Sequence, residues 1–350
     1  MKMRAIAFAR FGGPEVLESM EVELPDRPPA ARVRVRVRAV ALNHLDLWVR
    51  RGLPHLKLEL PHRLGSDVAG TLEAVGEGAQ LRAGLGVGDE VIVSPGLSCG
   101  TCEACLLGRD NFCRDYRLLG ENTHGGYGDF LDLPAANVLA RPLRLSLAEA
   151  SALPLVALTA FQMVVDRGRL ARSEVVLVHA AGSGVSSAAI QIARAVGARV
   201  IATTSSAAKI ERARALGAHE VIDTSAQDFV KEARRLTGKR GVDLVIDHVG
   251  GETFEKSLLA LRNGGRLVTC GATSGPTPQI DLRHVFFRQL EVIGSTMGSK
   301  AHLLAALRMV DEGALRPVVD RVLPRTVEGA REAHRVLEAR EAFGKIVLEG

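Results

Sequence analysis

The sequence predicts an α/β protein of two domains: a mainly-β first half, then a doubly wound domain built on a parallel sheet. Three observations carry this. From Glu174 onward, short and nearly continuous apolar segments alternate with amphipathic helical ones, the pattern of parallel strands covered on both faces by crossover helices. Before residue 150 the apolar runs are short and broken by Gly, Pro and Asp, which reads as strands and turns. The 350 residues exceed one ordinary core and suit two domains.

In the first half, Arg32–Ala39, Asp67–Val75 and Glu90–Ser94 read as strands, and Gly84–Asp89 as a loop. In the run Arg32–Arg38 arginine alternates with valine, which puts the valines inward and the arginines toward solvent. The pattern changes near Pro154. Strands are expected at Val175–His179, Arg199–Thr203, Glu220–Ile222, Leu244–Asp247, Arg266–Cys270 and Glu291–Gly294, with helices such as Ser186–Val196 and Lys209–Leu216 between them. Six strands in this rhythm match a doubly wound dinucleotide fold. The tail carries helices at His302–Glu312 and Val327–Ala339 and a strand at Gly344–Leu348, expected to return to the first half. Domain bounds follow: 1–153, 154–297 and a returning segment 298–350.

Composition narrows the classes. Apolar residues at 47% and charged residues at 24% exclude a disordered chain. Net charge is +5, but the arginine run lacks interleaved aromatics, so a solvated strand face is expected and no nucleic-acid partner. The N-terminus has no apolar h-region, and the apolar stretch Ala150–Phe161 contains Pro154 and is too short to span a membrane. Four of five cysteines fall between Cys99 and Cys113, which argues for metal in a reducing compartment. The expected location is therefore cytoplasmic.

Two local patterns carry chemistry. The strand Val175–His179 runs into Ala180-Ala181-Gly182-Ser183-Gly184-Val185-Ser186-Ser187, which opens a helix. Small residues let the backbone approach a pyrophosphate, and the helix N-terminus supplies N–H donors. Ser186 or Ser187, depending on register, stands where the strict fingerprint has its third glycine. The next strand ends Ala202-Thr203-Thr204-Ser205-Ser206 with Lys209 beyond and no acid. An NAD site wants an acid there for the ribose 2′-OH, whereas hydroxyls plus a lysine suit a 2′-phosphate, so NADPH is expected ahead of NADH. His248, Gly271 and Ala272, with Asp247 and Gly250, follow parallel strands on the ligand side of the sheet and are expected to line the cofactor cleft. The second pattern is Cys99, Cys102, Cys105 and Cys113, two CxxC steps sharing Cys102 plus a returning thiolate. Four sulfurs close a tetrahedral shell with no open position, the signature of structural zinc; an iron–sulfur cluster or free thiols are the alternatives.

Together these residues resemble the zinc-type medium-chain dehydrogenase/reductase superfamily over nearly the full chain. The resemblance implies a GroES-like β half with a cysteine lobe, a Rossmann domain, and a homodimer or homotetramer pairing through the last Rossmann strand. The catalytic positions depart from the alcohol dehydrogenases. Those enzymes carry a metal-binding Cys in a segment ending Cys-X-Ser/Thr-Asp; here Asn43, Leu45 and Asp46 stand at the Cys, Ser/Thr and Asp positions, and Trp48 where a relay His often lies. Their Gly-His-Glu is Gly65-Ser66-Asp67 here, and Ala152–Phe161 lacks the third ligand Cys. The same segments are similar to the quinone oxidoreductase branch, which has Asn-Phe-Ile-Asp and Gly-Ser-Asp and uses no catalytic metal, although most of that branch lacks the cysteine lobe.

The resemblance therefore implies NAD(P)H-dependent hydride transfer to a quinone or an activated alkene or carbonyl, with one structural zinc. Asn43 is the expected donor to the acceptor oxygen, Asp46 and Ser66 orient it, Trp48 walls the acceptor site, and His44 meets the cofactor phosphates. Asp46 could equally cap a helix beginning near Leu47. Two other readings stand beside this one: a zinc alcohol dehydrogenase with substitute ligands among His44, Asp46, His62 and Asp67, and a non-enzymatic NADPH-binding protein. The acceptor pocket is expected to take its shape from loops such as Gly52–Arg63 and Phe286–Arg288.

Overall fold

The computed structural model describes residues 1–53 and 56–350; Pro54 and His55, inside the loop expected to shape the acceptor pocket, lie outside the described residues. The chain divides into two compact units, one comprising Met1–Leu155, Ser299–Leu303 and Pro317–Gly350, the other Val156–Gly298 and Leu304–Arg316. The tail is thus shared: its stretch 304–316 clusters with the second unit.

In the first unit the strands before residue 150 are β1 (Lys2–Ala7), β2 (Glu18–Glu23), β3 (Arg32–Ala41), β4 (Asp67–Val75), β5 (Glu90–Val93), β6 (Gly96–Leu97), β7 (Arg117–Leu118), β8 (Phe130–Pro134) and β9 (Val138–Ala140). This half is not purely β. Helices α1 (His44–Arg51), α2 (Glu103–Leu106) and α3 (Leu147–Ser151) interrupt it, and α4 (Pro154–Phe161) follows. The second unit holds β10 (Val175–Val178), β11 (Arg199–Thr204), β12 (Glu220–Asp223), β13 (Val242–Asp247), β14 (Leu261–Thr269) and β15 (Glu291–Gly294), with α5 (Gly184–Val196), α6 (Ile210–Ala215), α7 (Phe229–Leu236), α8 (Phe254–Ala260) and α9 (Leu282–Phe287) between them. The tail adds α10 (Lys300–Asp311), β16 (Val319–Pro324), α11 (Val327–Glu338) and β17 (Lys345–Glu349).

β3 is the hub of the first unit. It pairs antiparallel with β4, β8 and β17 in the sheet ordered β16-β17-β3-β4-β5-β9. Val33, Val35 and Val37 face the core as alternation demands. The arginines do not all face solvent: Arg34 is 2% exposed, held by both carboxylate oxygens of Asp132 at 2.8 Å and by Pro25 O. Arg36 pairs with Glu73. Acids on neighbouring strands thus neutralise two of the four charges, and no uniform basic stripe is presented.

The second unit is a six-stranded, all-parallel sheet in the order β12-β11-β10-β13-β14-β15, the doubly wound order. Every residue of β10 is buried, as a strand covered on both faces requires. α5 packs through small residues, Ser186, Ser187, Ala188, Ala189 and Ala193, with Ile190 and Ile192. It starts at an Ser183 cap and ends at Gly197, whose φ of +88° only glycine adopts cheaply. Strand order reverses between β10 and β13, so the loops after their carboxyl ends flank the crevice where such sheets bind ligands.

One polar cluster ties α1 to α11 inside the first unit. Arg50, fully buried, donates to His334 Nδ1 at 2.7 Å, to Gly12 O and to Glu338. Arginine only donates, so His334 Nδ1 must accept and Nε2–H points to Tyr127 OH at 3.2 Å. Burial, then the nearby Arg50 and Arg51 charges, push the His334 imidazole down to about 3. Its folded pKa lies below the unfolded one, so on acidification the unfolded chain protonates first; the neutral ring's contribution is complete above pH 6.5 and is lost as pH falls toward 3. Each such group adds a slope of about 1.4 kcal/mol per pH unit in that window. The prediction is that stability measured by urea unfolding falls between pH 7 and 5, and that His334→Gln, already less stable at pH 7, loses less over the same interval. An equal loss in both proteins would show that His334 does not titrate this way.

Candidate functional site

The dinucleotide loop is built at the end of β10. Ala180 takes a φ of +51°, turning the chain sharply before Gly182. Ser183 then caps α5, its Oγ accepting from Ser186 N at 3.0 Å. The first N–H groups of the helix, at Gly184 and Val185, follow this cap and belong to the four that have no partner within a helix. Ser186 stands in place of a third glycine without opening the packing. It is fully buried, and its Oγ donates to His179 O at 2.6 Å while lying 2.9 Å from His248 Nε2. Ser183 Oγ lies at the same distance from that nitrogen. The two hydroxyls and one imidazole therefore lock the turn, which gives His248 a place in the loop, its imidazole held below the ordinary value by burial.

Asp247 does something other than line a cleft. It is fully buried and accepts from Val249 N, Gly250 N, Thr253 Oγ1 and Ser257 Oγ, so its oxygens are spent closing the turn after β13. Gly271 and Ala272 follow β14; Ala272 abuts Gly250, where an added Cβ would lie 2.8 Å from Ala272 Cα. Burial pushes the neighbouring Cys270 thiol up to about 12, which keeps it protonated at neutral pH. At the end of β11, Thr204, Ser205 and Ser206 form a turn closed by Ser206 N to Thr204 Oγ1 at 3.2 Å, and Lys209 sits half-buried at the start of α6. The nearest acid in register, Asp223 opposite Thr204, turns to Ser225 instead, bonding its Oγ and N–H.

In the first unit, Asn43 ends the chain segment leaving β3 and begins α1. Its main-chain N–H donates to Asp46 Oδ2 at 2.7 Å, the carboxylate half of a capping box. α1 therefore starts at His44, and Asp46 closes the helix from its interior. Asp46 also accepts from Gly65 N at 2.9 Å, and burial pushes it up to about 6. Its carboxylate thus fixes main chain on both sides. Ser66 likewise meets main chain, its Oγ donating to Leu119 O at 2.7 Å. The residues that do hold the Asn43 side chain are Asp67 and Lys345. Asn43 Nδ2 donates to Asp67 Oδ2 at 3.0 Å, and Lys345 Nζ donates to Asn43 Oδ1 at 2.5 Å and to Asp67 Oδ2 at 2.8 Å. The remaining Asp67 oxygen accepts from Leu155 N. His44 and Trp48, four residues apart, share one face of α1, with ring centroids 6.4 Å apart.

The Gly65-Ser66-Asp67 turn is set by close backbone approach. A Cβ on Gly120 would lie 2.7 Å from Gly65 N, and one on Gly125 would lie 2.4 Å from Gly65 O. Only glycines fit there, which is why the His124-Gly-Gly-Tyr-Gly run exists.

The four cysteines converge. Their Sγ atoms all lie within 4.8 Å of one another, with Cys102–Cys105 at 3.5 Å and Cys99–Cys105 at 3.9 Å. Tetrahedral zinc with bonds of about 2.3 Å places its sulfurs about 3.8 Å apart, so the donor set fits. Main-chain N–H groups of Thr101 and Cys102 bring the Cys99 thiol down to about 6. Lys300 anchors the lobe through Asp110 and Ser98. Among the described residues no second group of His, Cys, Asp and Glu meets the same criterion. His62, one of the substitute ligands considered from sequence, turns its Nε2 to Gly120 O.

A GroES-like unit, a dinucleotide-type parallel sheet and a four-cysteine lobe define a dehydrogenase-type oxidoreductase. Residues 29–143 match the alcohol dehydrogenase GroES-like domain family, and residues 184–312 the zinc-binding dehydrogenase family. A crystal structure described as an NAD-dependent alcohol dehydrogenase superposes with a TM-score of 0.94 at 52% identity, covering 99% of this chain and 100% of that one. An NAD-dependent alcohol dehydrogenase of Sulfolobus acidocaldarius is 31% identical over 99% of both chains. Human quinone oxidoreductase is 29% identical over 99% of this chain and 97% of its own. The chain belongs to the medium-chain dehydrogenase/reductase superfamily. No helix among the described residues is long and apolar enough to cross a membrane.

Sulfurs gathered this closely predict that protein dialysed free of loose metal retains about one zinc per chain. Cys105→Ser is expected to lose it and to melt at lower temperature by calorimetry. A variant that kept both its zinc and its melting temperature would remove the lobe from a structural role.

Proposed function

We propose that this chain is an NAD(P)H-dependent reductase of quinones or of alkenes and carbonyls activated by conjugation, working without a catalytic metal and carrying one structural zinc on Cys99, Cys102, Cys105 and Cys113. The observation that carries the reading is the Asn43–Lys345–Asp67 triangle. The positions that resemble metal-ligand positions of alcohol dehydrogenases hold an amide and a serine hydroxyl, and a resident ammonium bonds the amide oxygen and the nearby carboxylate. A divalent cation there would meet that positive charge and would lack thiolate and imidazole donors. Without a Lewis acid an unactivated alcohol has no route to alkoxide, whereas an activated acceptor needs only hydrogen-bond donors at the oxygen where charge builds.

A bound reduced nicotinamide supplies the hydride. Ala181, Gly182, Ser183, Gly184, Val185 and Ser186 would hold its pyrophosphate, with His248 bracing the turn. Thr204, Ser205 and Lys209 would receive a 2′-phosphate, which supports NADPH as the preferred donor over NADH. Asn43 offers an Nδ2–H to the acceptor oxygen, and Trp48 gives the acceptor an apolar wall. The names of two similar chains favour a second reading, alcohol oxidation with NAD. That reading requires a second metal per chain and loss of activity to a chelator with the fold intact.

The assay is NADPH oxidation with a panel of quinones and enones. Asn43→Ala is expected to lower kcat by about 10- to 100-fold with the fold intact, and Lys209→Ala to raise KM for NADPH by about tenfold with little change for NADH. Unchanged turnover in Asn43→Ala across the panel would remove Asn43 from catalysis, and alcohol-dependent NAD reduction needing a second metal would replace the proposal.

The assembly we propose is a homodimer or homotetramer. Its support is β15, an edge strand with Val292 exposed, beside exposed Leu282, Phe286 and Phe287 of α9. Sedimentation equilibrium should give a dimer or tetramer, and Val292→Lys should shift it toward monomer; a monomeric parent protein would end the idea.

A further inference from the structure

Lys345 is a buried cation that the sequence reading assigned to nothing. It is 4% exposed and is followed in its strand by the core residues Ile346, Val347 and Leu348, and among the described residues its ammonium bonds the Asn43 amide oxygen and the Asp67 carboxylate. We propose that Lys345, with Asp67, is a positioning residue that fixes which end of the Asn43 amide is presented to the acceptor; this rests on the catalytic reading of Asn43 given above.

An asparagine amide has two nearly isosteric ends, and a half-turn about its last bond exchanges a donor for an acceptor. An ammonium can only donate and a carboxylate can only accept. With Oδ1 on Lys345 and Nδ2 on Asp67, each contact is a charge-assisted hydrogen bond. After a half-turn, NH2 would face NH3⁺ and oxygen would face carboxylate, so both contacts would become repulsive in a dry site. The amide therefore has one orientation. Nδ2 carries two hydrogens and Asp67 takes one, so the group left over is an N–H donor, the type that stabilises negative charge developing on oxygen. Asp67 is held in turn by Leu155 N at 2.7 Å.

The sheet register explains why these three meet. Ala41, the last residue of β3, pairs with Asp67 on one side and Val347 on the other. Leu42 N then bonds Ile346 O, which sets Asn43 beside Lys345. Three stretches far apart in sequence arrive at one strand end.

The experiment measures kcat and KM with NADPH and the best quinone or enone acceptor for Asn43→Ala, Lys345→Met, Lys345→Gln, the double variant Lys345→Met/Asp67→Asn, and the double variant combined with Asn43→Ala. The double variant leaves no buried charge unpaired, which protects the fold. It is expected to lose about tenfold or more in kcat with KM for NADPH unchanged, and the combined variant should be no slower in total than Asn43→Ala alone, because both act through one amide. Lys345→Gln still donates N–H to Asn43 and should retain kcat within about threefold, whereas Lys345→Met should not; this comparison decides the matter if the double variant does not fold. Full turnover in the double variant, multiplicative losses in the combination, or equal losses in Lys345→Gln and Lys345→Met would overturn the positioning role while leaving Asn43 in place. Full turnover in Asn43→Ala would overturn the catalytic reading and the positioning role together.

Discussion

A lysine ammonium buried among strands must be neutralised where it lies, because neither water nor movement can relieve it. In the first unit that requirement binds Lys345 to Asn43 and Asp67, across 302 and 278 residues of sequence. Everything near the proposed acceptor site follows from it. Asp67 has to begin β4 in register with the end of β3, so the Gly65-Ser66 turn before it has to be tight, and the glycines at 120 and 125 have to press against that turn. Asp46 then secures the same two segments through main chain, bonding Asn43 N and Gly65 N. The site is over-determined by charge pairing and backbone contact, which suits a group that must keep one orientation through many turnovers.

The second unit fixes its turns with hydroxyls, imidazoles and one buried carboxylate. Its loop after β10 is held by hydroxyls of Ser183 and Ser186 on His248, and the turn after β13 by the four donors that Asp247 collects. His179, deeper in the sheet, bridges Thr203 and Ser257, and burial brings its imidazole down to about 4. These groups are consumed by one another, so in the proposed cofactor site the donors left for the pyrophosphate are main-chain N–H groups at the start of α5. That is the economical arrangement for a phosphate, whose oxygens are read by backbone donors and a helix dipole.

Much of this was legible in the sequence, and the reasons are physical. The six parallel strands announced themselves because strands covered on both faces are continuously apolar, so their positions needed no tertiary knowledge. The cysteine lobe was legible because metal ligands with short spacings are local. What failed were inferences about where polar side chains point. Period-two alternation sent Arg34 to solvent, but Asp132, on a strand 98 residues away, captured it. Ser66 and Asp46 were adjacent to Asn43 in the expected site, yet their nearest free partners were main-chain groups. Lys345 was missed altogether, although a single charge inside the apolar run Lys345–Leu348 is a detectable anomaly: a buried lysine needs a carboxylate, and only the fold says which one.

The zinc lobe and the proposed reacting groups are separable devices, and treating them as one is what makes chains of this kind hard to read. Four cysteines within fifteen residues make a closed shell that any such lobe can use for order, whatever reaction the rest of the chain performs. The proposed chemistry depends instead on three groups elsewhere in the first unit, an amide, a carboxylate and an ammonium, of which Asn43 alone stands at a position that resembles a metal-ligand position. Asp67 is fully buried, and without a partner it would be an uncompensated charge. A lysine beside Asp67 answers that need, and in answering it orients the amide. The cation that compensates the carboxylate is also the one that would oppose a metal there, so the proposed metal-free chemistry and the stability of the strand end rest on the same group.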